Sequence, residues 1–493
     1  MELNPNACYL ALCAHDARFD GRFFTGVTST GIYCRPVCPV KTPKFENCRF
    51  YRTPAEAEAD GYRPCLRCRP ELAPGHTPLE AADRLAAQAA ARLEDPEAPE
   101  RSLTAVAEEL GVSARHLRRV FQETYGVSPA SYRATRRLLT AKTLLADTAL
   151  PVTEVALASG FGSLRRFNAL FRQQYGLSPG ALRKEASPKG GREAPFTVAL
   201  GYRPPLNWAA LLAFLDQRAI PGVELVQNGA YLRTVSLRQG GTRYTGWLRA
   251  EPDPQRNRLL LSGPASLAPV LPQLMARVRR LFDLDCTPAL LAPVLAEADR
   301  LKPGLFDAGI RLPGCFDGFE MAVRAVLGQQ ITVKGARTLA MRLASAFGTP
   351  LETPWPQLSL IFPEADALAA LPRPIADQLG PLGITGARCR TLGALAEEMS
   401  TGRLSLTHFA DPLQCRLQLL ALPGIGPWTA EYITMRALSW PDAFPHTDYG
   451  VRKALGGLSD TELLALGEAF RPWRSYFTLM LWKSLAEPGS KED

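Results

Sequence analysis

No stretch of this chain approaches the roughly 20 consecutive apolar residues of a membrane-spanning helix, so no bilayer span is expected. The opening, MELNPNACYLALCAHDARFD, lacks the basic head of an export signal and carries acids early, so a signal peptide is not expected either. There is no long low-complexity tract. Without export, the 11 cysteines point to a reducing compartment, where clustered thiols hold metal rather than forming disulfides. What remains is ordinary for a globular, water-soluble protein, with 46% hydrophobic and 21% charged residues. At 493 residues the chain is too long for one compact core, and three or four domains are expected. The net charge of +9 has a definite location: residues 111–190 hold 13 Lys+Arg against 4 Asp+Glu, a difference of +9. A localised basic field of this kind suits a polyanion, most simply DNA.

Four cysteines are clustered at Cys34, Cys38, Cys65 and Cys68, as a C-x3-C pair and a C-x2-C pair separated by 26 residues. Each pair can place two sulfurs on one tetrahedral metal, which predicts a single Zn2+ held by four cysteines. Counting ligands, such a site carries a formal charge of about minus two, and its sulfurs stay deprotonated and nucleophilic near neutral pH. Arg35, Arg63, Arg67 and Arg69 flank the cluster and are expected to draw a phosphate towards it. Cys8, Cys13 and Cys48 lie outside the spacing and read as ordinary buried thiols.

The phrases STGIYCRPVC and FYRTPAEAEADGYRPCLRC, which carry these cysteines, resemble the N-terminal zinc domain of the Ada family of bacterial alkylation-response regulators. In that family the first cysteine of the first pair accepts a methyl group from a methylated DNA phosphate. The resemblance places that role on Cys34 and leaves Cys38, Cys65 and Cys68 as spectator ligands. The physics suits a switch. A methyl phosphotriester is neutral and can approach an anionic cluster, and transfer turns a thiolate into a thioether. The site then repels the DNA backbone less, so affinity for DNA should rise.

Two similar units follow, LTAVAEELGVSARHLRRVFQETYGVSPASY from Leu103 and PVTEVALASGFGSLRRFNALFRQQYGLSPGAL from Pro151. They form a repeat with a period of roughly 50 residues. Each has a short amphipathic helix, a Gly-containing turn and a longer helix bearing arginines. Ser113 and Ser163 are placed to cap the longer helices. Arg115, Arg118 and Arg119 in the first copy, and Arg165, Arg166 and Asn168 in the second, are suited to reading base edges in the major groove. The region resembles the AraC/XylS-type DNA-binding domain, the partner expected after an Ada zinc unit.

Farther on, residues 196–283 show strand-like stretches (FTVALGY, AYLRTVSLR, TRYTGWLRAE, NRLLLSG) with two helices, and from about Pro288 the pattern is almost wholly helical. LPGIGPWTA, Leu422 to Ala430, has the helix-hairpin-helix form, whose glycines let backbone N–H groups face a DNA phosphate. Gly424, Gly426 and Thr429 carry that motif. Asp448, in FPHTDYGVRKAL, stands at the head of a helix. With RPPLNWAALLAFL, LFDLDC, RLPGCFDGFE, RAVLGQQ and PWRSY, the stretch from Phe196 resembles the AlkA-like DNA-3-methyladenine glycosylase II family. The resemblance implies that Asp448 stabilises an oxocarbenium-like sugar after base flipping. It also implies an aromatic pocket of Phe214, Trp428, Tyr432 and Trp482 that favours cationic bases. The family's leucine wedge falls on Gln330, followed by Ile331, so either could fill the gap. The family hairpin often holds a monovalent cation on backbone carbonyls. Trp428 stands where strand-cleaving relatives have lysine, which predicts a monofunctional enzyme. The last cysteine is Cys415, so the C-terminal iron–sulfur cluster of some relatives is missing. No Pro-Cys-His occurs, so the alkylguanine methyltransferase of full Ada proteins is not expected.

The fold class expected is multidomain. A small α+β zinc-binding domain (1–76) is followed by an all-α AraC-type double helix-turn-helix (77–186) and a linker (187–195). Then come an α+β TBP-like subdomain (196–283) and an all-α helix-hairpin-helix glycosylase domain (284–493). The resemblances imply an alkylation-damage protein, acting on double-stranded DNA with RNA polymerase as a further partner, in the bacterial cytoplasm and held at the nucleoid through DNA. One rival reading is a transcriptional regulator whose C-terminal half only grips DNA, against which Asp448 and the aromatic pocket argue. Another is a repair enzyme whose N-terminal half merely tethers it.

Overall fold

The computed structural model describes residues 3–74, 84–94, 101–186, 194–407 and 409–486. The expected boundary at His76, most of the linker at 187–195 and the acidic run after Glu94 lie outside the described residues. The chain divides into two compact units. The first takes 1–204, 236–276 and 284–287, and the second takes 205–235, 277–283 and 288–493. Among the described residues no helix is long and apolar enough to cross a membrane.

The first unit begins with a four-stranded sheet of β1 (Phe24–Val27), β2 (Ile32–Cys34), β3 (Cys48–Tyr51) and β4 (Arg63–Pro64), in the order β3-β1-β2-β4. β1 is antiparallel to both its neighbours, and β4 runs parallel to β2. The register sets Thr25 opposite Cys34. Phe24, Tyr33, Tyr51 and Tyr62 fill the core with Ala57 of the helix Pro54–Ala59. Thr53 starts that helix by accepting from the Glu56 amide at 3.1 Å. Cys8 and Cys48 are buried as expected, but Cys13 is exposed. The helix Pro5–Cys13 buries Cys8, Ala11 and Leu12, and Cys13 falls on its opposite side.

Seven helices follow among the described residues of this unit before Phe196. The repeated phrases YGVSP and YGLSP are a helix stop joined to a helix start. Gly126 and Gly176 end the helices Ala114–Tyr125 and Leu164–Tyr175 with φ of +73° and +69°, a region glycine enters without steric cost. Two residues on, Ser128 and Ser178 accept from the Ser131 and Ala181 amides at 3.1 Å, and a proline opens the next helix. The long helix Pro129–Asp147 joins the two copies. The unit also contains the strands Phe196–Gly201 and Thr242–Asp253, both pairing antiparallel to Arg258–Gly263, and the helical segment Ala265–Val270 that follows them.

The second unit is mainly helical. Its core lies around the helix Gly318–Leu327, buried on nearly every side, with Val333–Phe347, Gly386–Ser400 and Pro427–Ala437 packed about it. The all-α expectation needs one correction. Thr349–Pro350 and Leu360–Ile361 form a short antiparallel ladder, because the prolines between Phe347 and Phe362 prevent the helix from continuing.

Candidate functional sites

The zinc lobe brings its four cysteines together. Their Sγ atoms all lie within 4.8 Å of one another, and all four residues are buried. Tetrahedral ligation with Zn–S near 2.3 Å requires sulfurs roughly 3.8 Å apart, so the donor set fits one Zn2+. The local fold explains the convergence. Cys34 ends β2, and Cys38 follows a turn in which its amide donates to the Arg35 carbonyl. Cys65 follows β4, with its amide on the Tyr33 carbonyl at 3.0 Å. The Arg35 amide donates to Sγ of Cys68 at 3.3 Å. Four sulfurs this close cannot ionise independently. Hydrogen bonding from Cys34 draws the Cys65 thiol down, while hydrogen bonding to Cys38 pushes Cys34 up. Only a cation lets all four be thiolates at once. Cys34 and Cys38, but not Cys65 or Cys68, line a small apolar cleft shared with Leu12, Val27 and Val40.

The flanking arginines divide into two groups. Arg63 and Arg67 are exposed, as phosphate attraction requires. Arg35 is buried, paired with Asp20 and donating to the Cys68 carbonyl at 3.0 Å. Arg69 reaches Asp147 at 2.7 Å and Glu71 at 2.9 Å. Those two are structural, contrary to expectation, because Asp20 holds Arg35 and because Asp147, remote in sequence, joins Glu71 in holding Arg69.

Sequence reasoning missed the seat of this lobe. Glu71 pairs with Lys142 at 2.6 Å, both almost fully buried. Glu58 accepts from the Tyr33 hydroxyl at 2.9 Å and from the Thr135 hydroxyl at 2.8 Å. Burial pushes the Glu58 carboxyl up to about 7 against those bonds and the charge of Lys142. Thr135, Lys142 and Asp147 all belong to Pro129–Asp147, the helix joining the two helix-turn-helix copies.

In those copies Arg115, Arg118, Arg119, Arg165 and Arg166 are exposed, and Asn168 is half-buried. Ser113 and Ser163 cap as expected, accepting from the His116 and Arg166 amides. Arg119 also pairs with Glu123 at 3.0 Å, one helical turn on.

In the second unit, Asp448 caps the helix Tyr449–Leu455, one carboxylate oxygen accepting from the Gly450 and Val451 amides at 2.8 and 3.1 Å. That oxygen also accepts from the Trp482 indole at 2.8 Å, and the other accepts from the Trp428 indole at 2.8 Å. Gly450 is required here. A Cβ on it would lie 2.8 Å from the Trp482 ring and 3.0 Å from the Asp448 carboxylate. The four expected aromatics form a chain of rings: Phe214 stacks on Trp482 at 6.3 Å, Trp482 meets Tyr432 at 6.1 Å, and Tyr432 stacks on Trp428 at 5.4 Å. Arginines back this chain. Arg218 lies 3.8 Å and Arg436 4.9 Å from the Phe214 ring centroid, and Arg436 donates to the Tyr432 hydroxyl at 3.0 Å. Burial raises the Tyr432 phenol, but Arg436, Arg218 and Arg324 outweigh it, so its pKa falls below the ordinary value.

The hairpin joins Pro412–Leu420 to Pro427–Ala437, with Gly424 at φ +79° and Gly426 exposed. Thr429 is buried, and its hydroxyl accepts from Gln329 at 3.0 Å. Gln329 also donates to the Gly424 carbonyl at 2.8 Å, a tie with no sequence signal. Next to it, Gln330 has φ +54° and Ile331 is 39% exposed.

Comparison with known proteins covers most of the chain. Residues 7–71 match the metal binding domain of Ada, 106–185 a helix-turn-helix domain and 197–317 the AlkA N-terminal domain. The chain is 38% identical over 490 residues to a "Probable bifunctional transcriptional activator/DNA repair enzyme AlkA" of Mycobacterium tuberculosis, spanning 98% of this chain and 96% of that one. It is 35% identical over 283 residues to "DNA-3-methyladenine glycosylase 2" of Escherichia coli, covering 57% of this chain and 95% of the relative. It is 35% identical over 159 residues to the "Bifunctional transcriptional activator/DNA repair enzyme Ada" of the same organism, covering 32% and 43%.

Proposed function

The chain belongs to the family of bifunctional transcriptional activator/DNA repair enzymes of the AlkA type, and we propose that it handles alkylated DNA at two separate sites. In the first, Cys34, Cys38, Cys65 and Cys68 hold one Zn2+, which keeps their sulfurs deprotonated near neutral pH. Sγ of Cys34 attacks the methyl carbon of a DNA methylphosphotriester. An S–C bond forms, the C–O bond breaks, and the electron pair leaves on the phosphate as a diester anion. The cleft beside Cys34 and Cys38 supports the choice of sulfur, since the other pair does not line it. Exposed Arg63 and Arg67 attract the backbone. The cluster loses one negative charge, so the helix-turn-helix pair, through Arg115, Arg118, Arg119, Arg165, Arg166 and Asn168, grips promoter DNA more tightly. RNA polymerase is the partner that an activator requires, and the cytoplasm is the setting.

At the second site the protein excises alkylated bases such as 3-methyladenine from double-stranded DNA. The hairpin with Gly424, Gly426 and Thr429 faces a phosphate, and a monovalent cation on its carbonyls belongs to this reading. Ile331, the exposed apolar residue beside Gln330, fills the space left by the flipped nucleotide. The flipped base stacks among Phe214, Trp428, Tyr432 and Trp482. The Asp448 carboxylate stabilises positive charge at C1′ as the glycosidic bond breaks, and water completes hydrolysis. With tryptophan at 428 no Schiff base forms, so the strand is left intact.

The observation that carries this reading is the joining of Asp448 to both indoles of the aromatic chain, which builds the anion and the base pocket as one object. The test is release of 3-methyladenine from methylated duplex DNA by the purified protein and its loss in Asp448→Asn. No release favours a regulator whose C-terminal half only binds DNA.

A further inference from the structure

Thr25 sits in an inner strand of the zinc lobe's sheet, fully buried, and its hydroxyl has no hydrogen-bond partner. A buried hydroxyl left unpaired is unfavourable, so the folded protein should offer it a partner in its working state. The register names one, since Thr25 lies directly opposite Cys34. Side chains so paired stand on one face of the sheet with Cβ atoms about 4.5–5.5 Å apart. Thr25 also lines the same cleft as the Cys34 and Cys38 sulfurs. The other polar side chains lining that cleft, His15 and Thr42, lie outside this strand pair and are more exposed. A neutral thiol is a weak acceptor, whereas a metal-bound thiolate is a good one.

We propose that Thr25 donates its hydroxyl hydrogen to Sγ of Cys34 once that sulfur is a zinc-bound thiolate, and that this bond restrains the sulfur. The inference rests on the reading of Cys34 as methyl acceptor. As the methyl group moves onto sulfur, the negative charge leaves for the phosphate and the thioether accepts poorly. The bond is therefore stronger before transfer than in the transition state, and a contact of that kind slows the step. Its benefit is selectivity, because the sulfur reacts only when a phosphotriester is held beside it.

Thr25→Val removes the donor at nearly constant shape, and Thr25→Ser restores it. In protein loaded with cobalt(II), the sulfur-to-cobalt charge-transfer band should move to lower energy in Thr25→Val and return in Thr25→Ser. Methyl transfer from methylphosphotriester DNA should become about 2- to 10-fold faster in Thr25→Val, the range of one hydrogen bond. A band and a rate unchanged in Thr25→Val overturn the proposal, as does a slower rate. Thr25→Ala serves the same comparison where valine disturbs metal loading. If the unsubstituted protein accepts no methyl at Cys34, the proposed function fails, while the cobalt band still decides whether Thr25 contacts the sulfur.

Discussion

Replacing Asp448 by asparagine tests its proposed role in base excision with little change of shape. The carboxylate accepts four hydrogen bonds, three on one oxygen and one, from Trp428, on the other. An asparagine that keeps its carbonyl on the three-donor side must turn its NH2 towards the Trp428 indole, so two donors face each other. One broken contact to a partly buried donor costs about 1–3 kcal/mol, so the variant should fold with reduced stability. Losing the negative charge is more serious for chemistry. Removing one preorganised electrostatic stabiliser typically costs about 100- to 1,000-fold in rate. The assay is single-turnover release of 3-methyladenine from methylated duplex DNA, with the unfolding midpoint measured on the same samples. Trp428→Phe is the control, since it removes the indole donor and keeps the carboxylate. A folded Asp448→Asn protein working within tenfold of the parent would refute the assignment.

Cys38→Ala removes one of four ligands, so bound zinc, measured by elemental analysis, should fall from about one per chain to near none; full retention would show that the four sulfurs do not form the site. Glu58 should make stability pH-dependent. Its carboxyl is raised from 4.5 to about 7 in the folded state, so between those values the folded chain binds more protons than the unfolded one. That stabilisation is complete below about pH 4.5 and is lost as the pH rises through 7, a change of about 3 kcal/mol. Urea midpoints should therefore fall more steeply from pH 5 to pH 8 in the parent than in Glu58→Gln, and equal slopes would contradict the burial argument. Ile331→Ala should slow excision by about 10- to 100-fold, the worth of one buried aliphatic side chain, and Gln330→Ala much less; the reverse order would make Gln330 the wedge.

The residues legible in the sequence were those whose chemistry is carried by spacing. The cysteine pairs, the serine caps and the LPGIGPW hairpin all act within a few residues of themselves, and each stands where the spacing put it. The repeated YG-x-SP phrase was visible as a repeat, although its meaning as a joined helix stop and start came only with the φ angles. What stayed hidden depends on partners far along the chain. Arg35 and Arg69 read in the sequence as phosphate attractors, but Asp20 and Asp147 hold them in the fold. Glu58 reads as one more acid in an Ala-Glu helix, and only the fold sets it between Tyr33 and Thr135. Gly450 gives no signal, because its role is the space it leaves for the Trp482 ring. Gln329 likewise acquires its role only when the loop before Ile331 meets the hairpin.

In the proposed function one polypeptide answers alkyl damage to DNA both at the phosphate and at the base. One labelling experiment tests it directly. The purified protein is incubated with duplex DNA methylated by an isotopically labelled donor, and the label is followed. Label is expected on Cys34, found by peptide mapping, together with label released as free 3-methyladenine. Label that appears only on the protein, only in the free base, or on a cysteine other than Cys34 would contradict it.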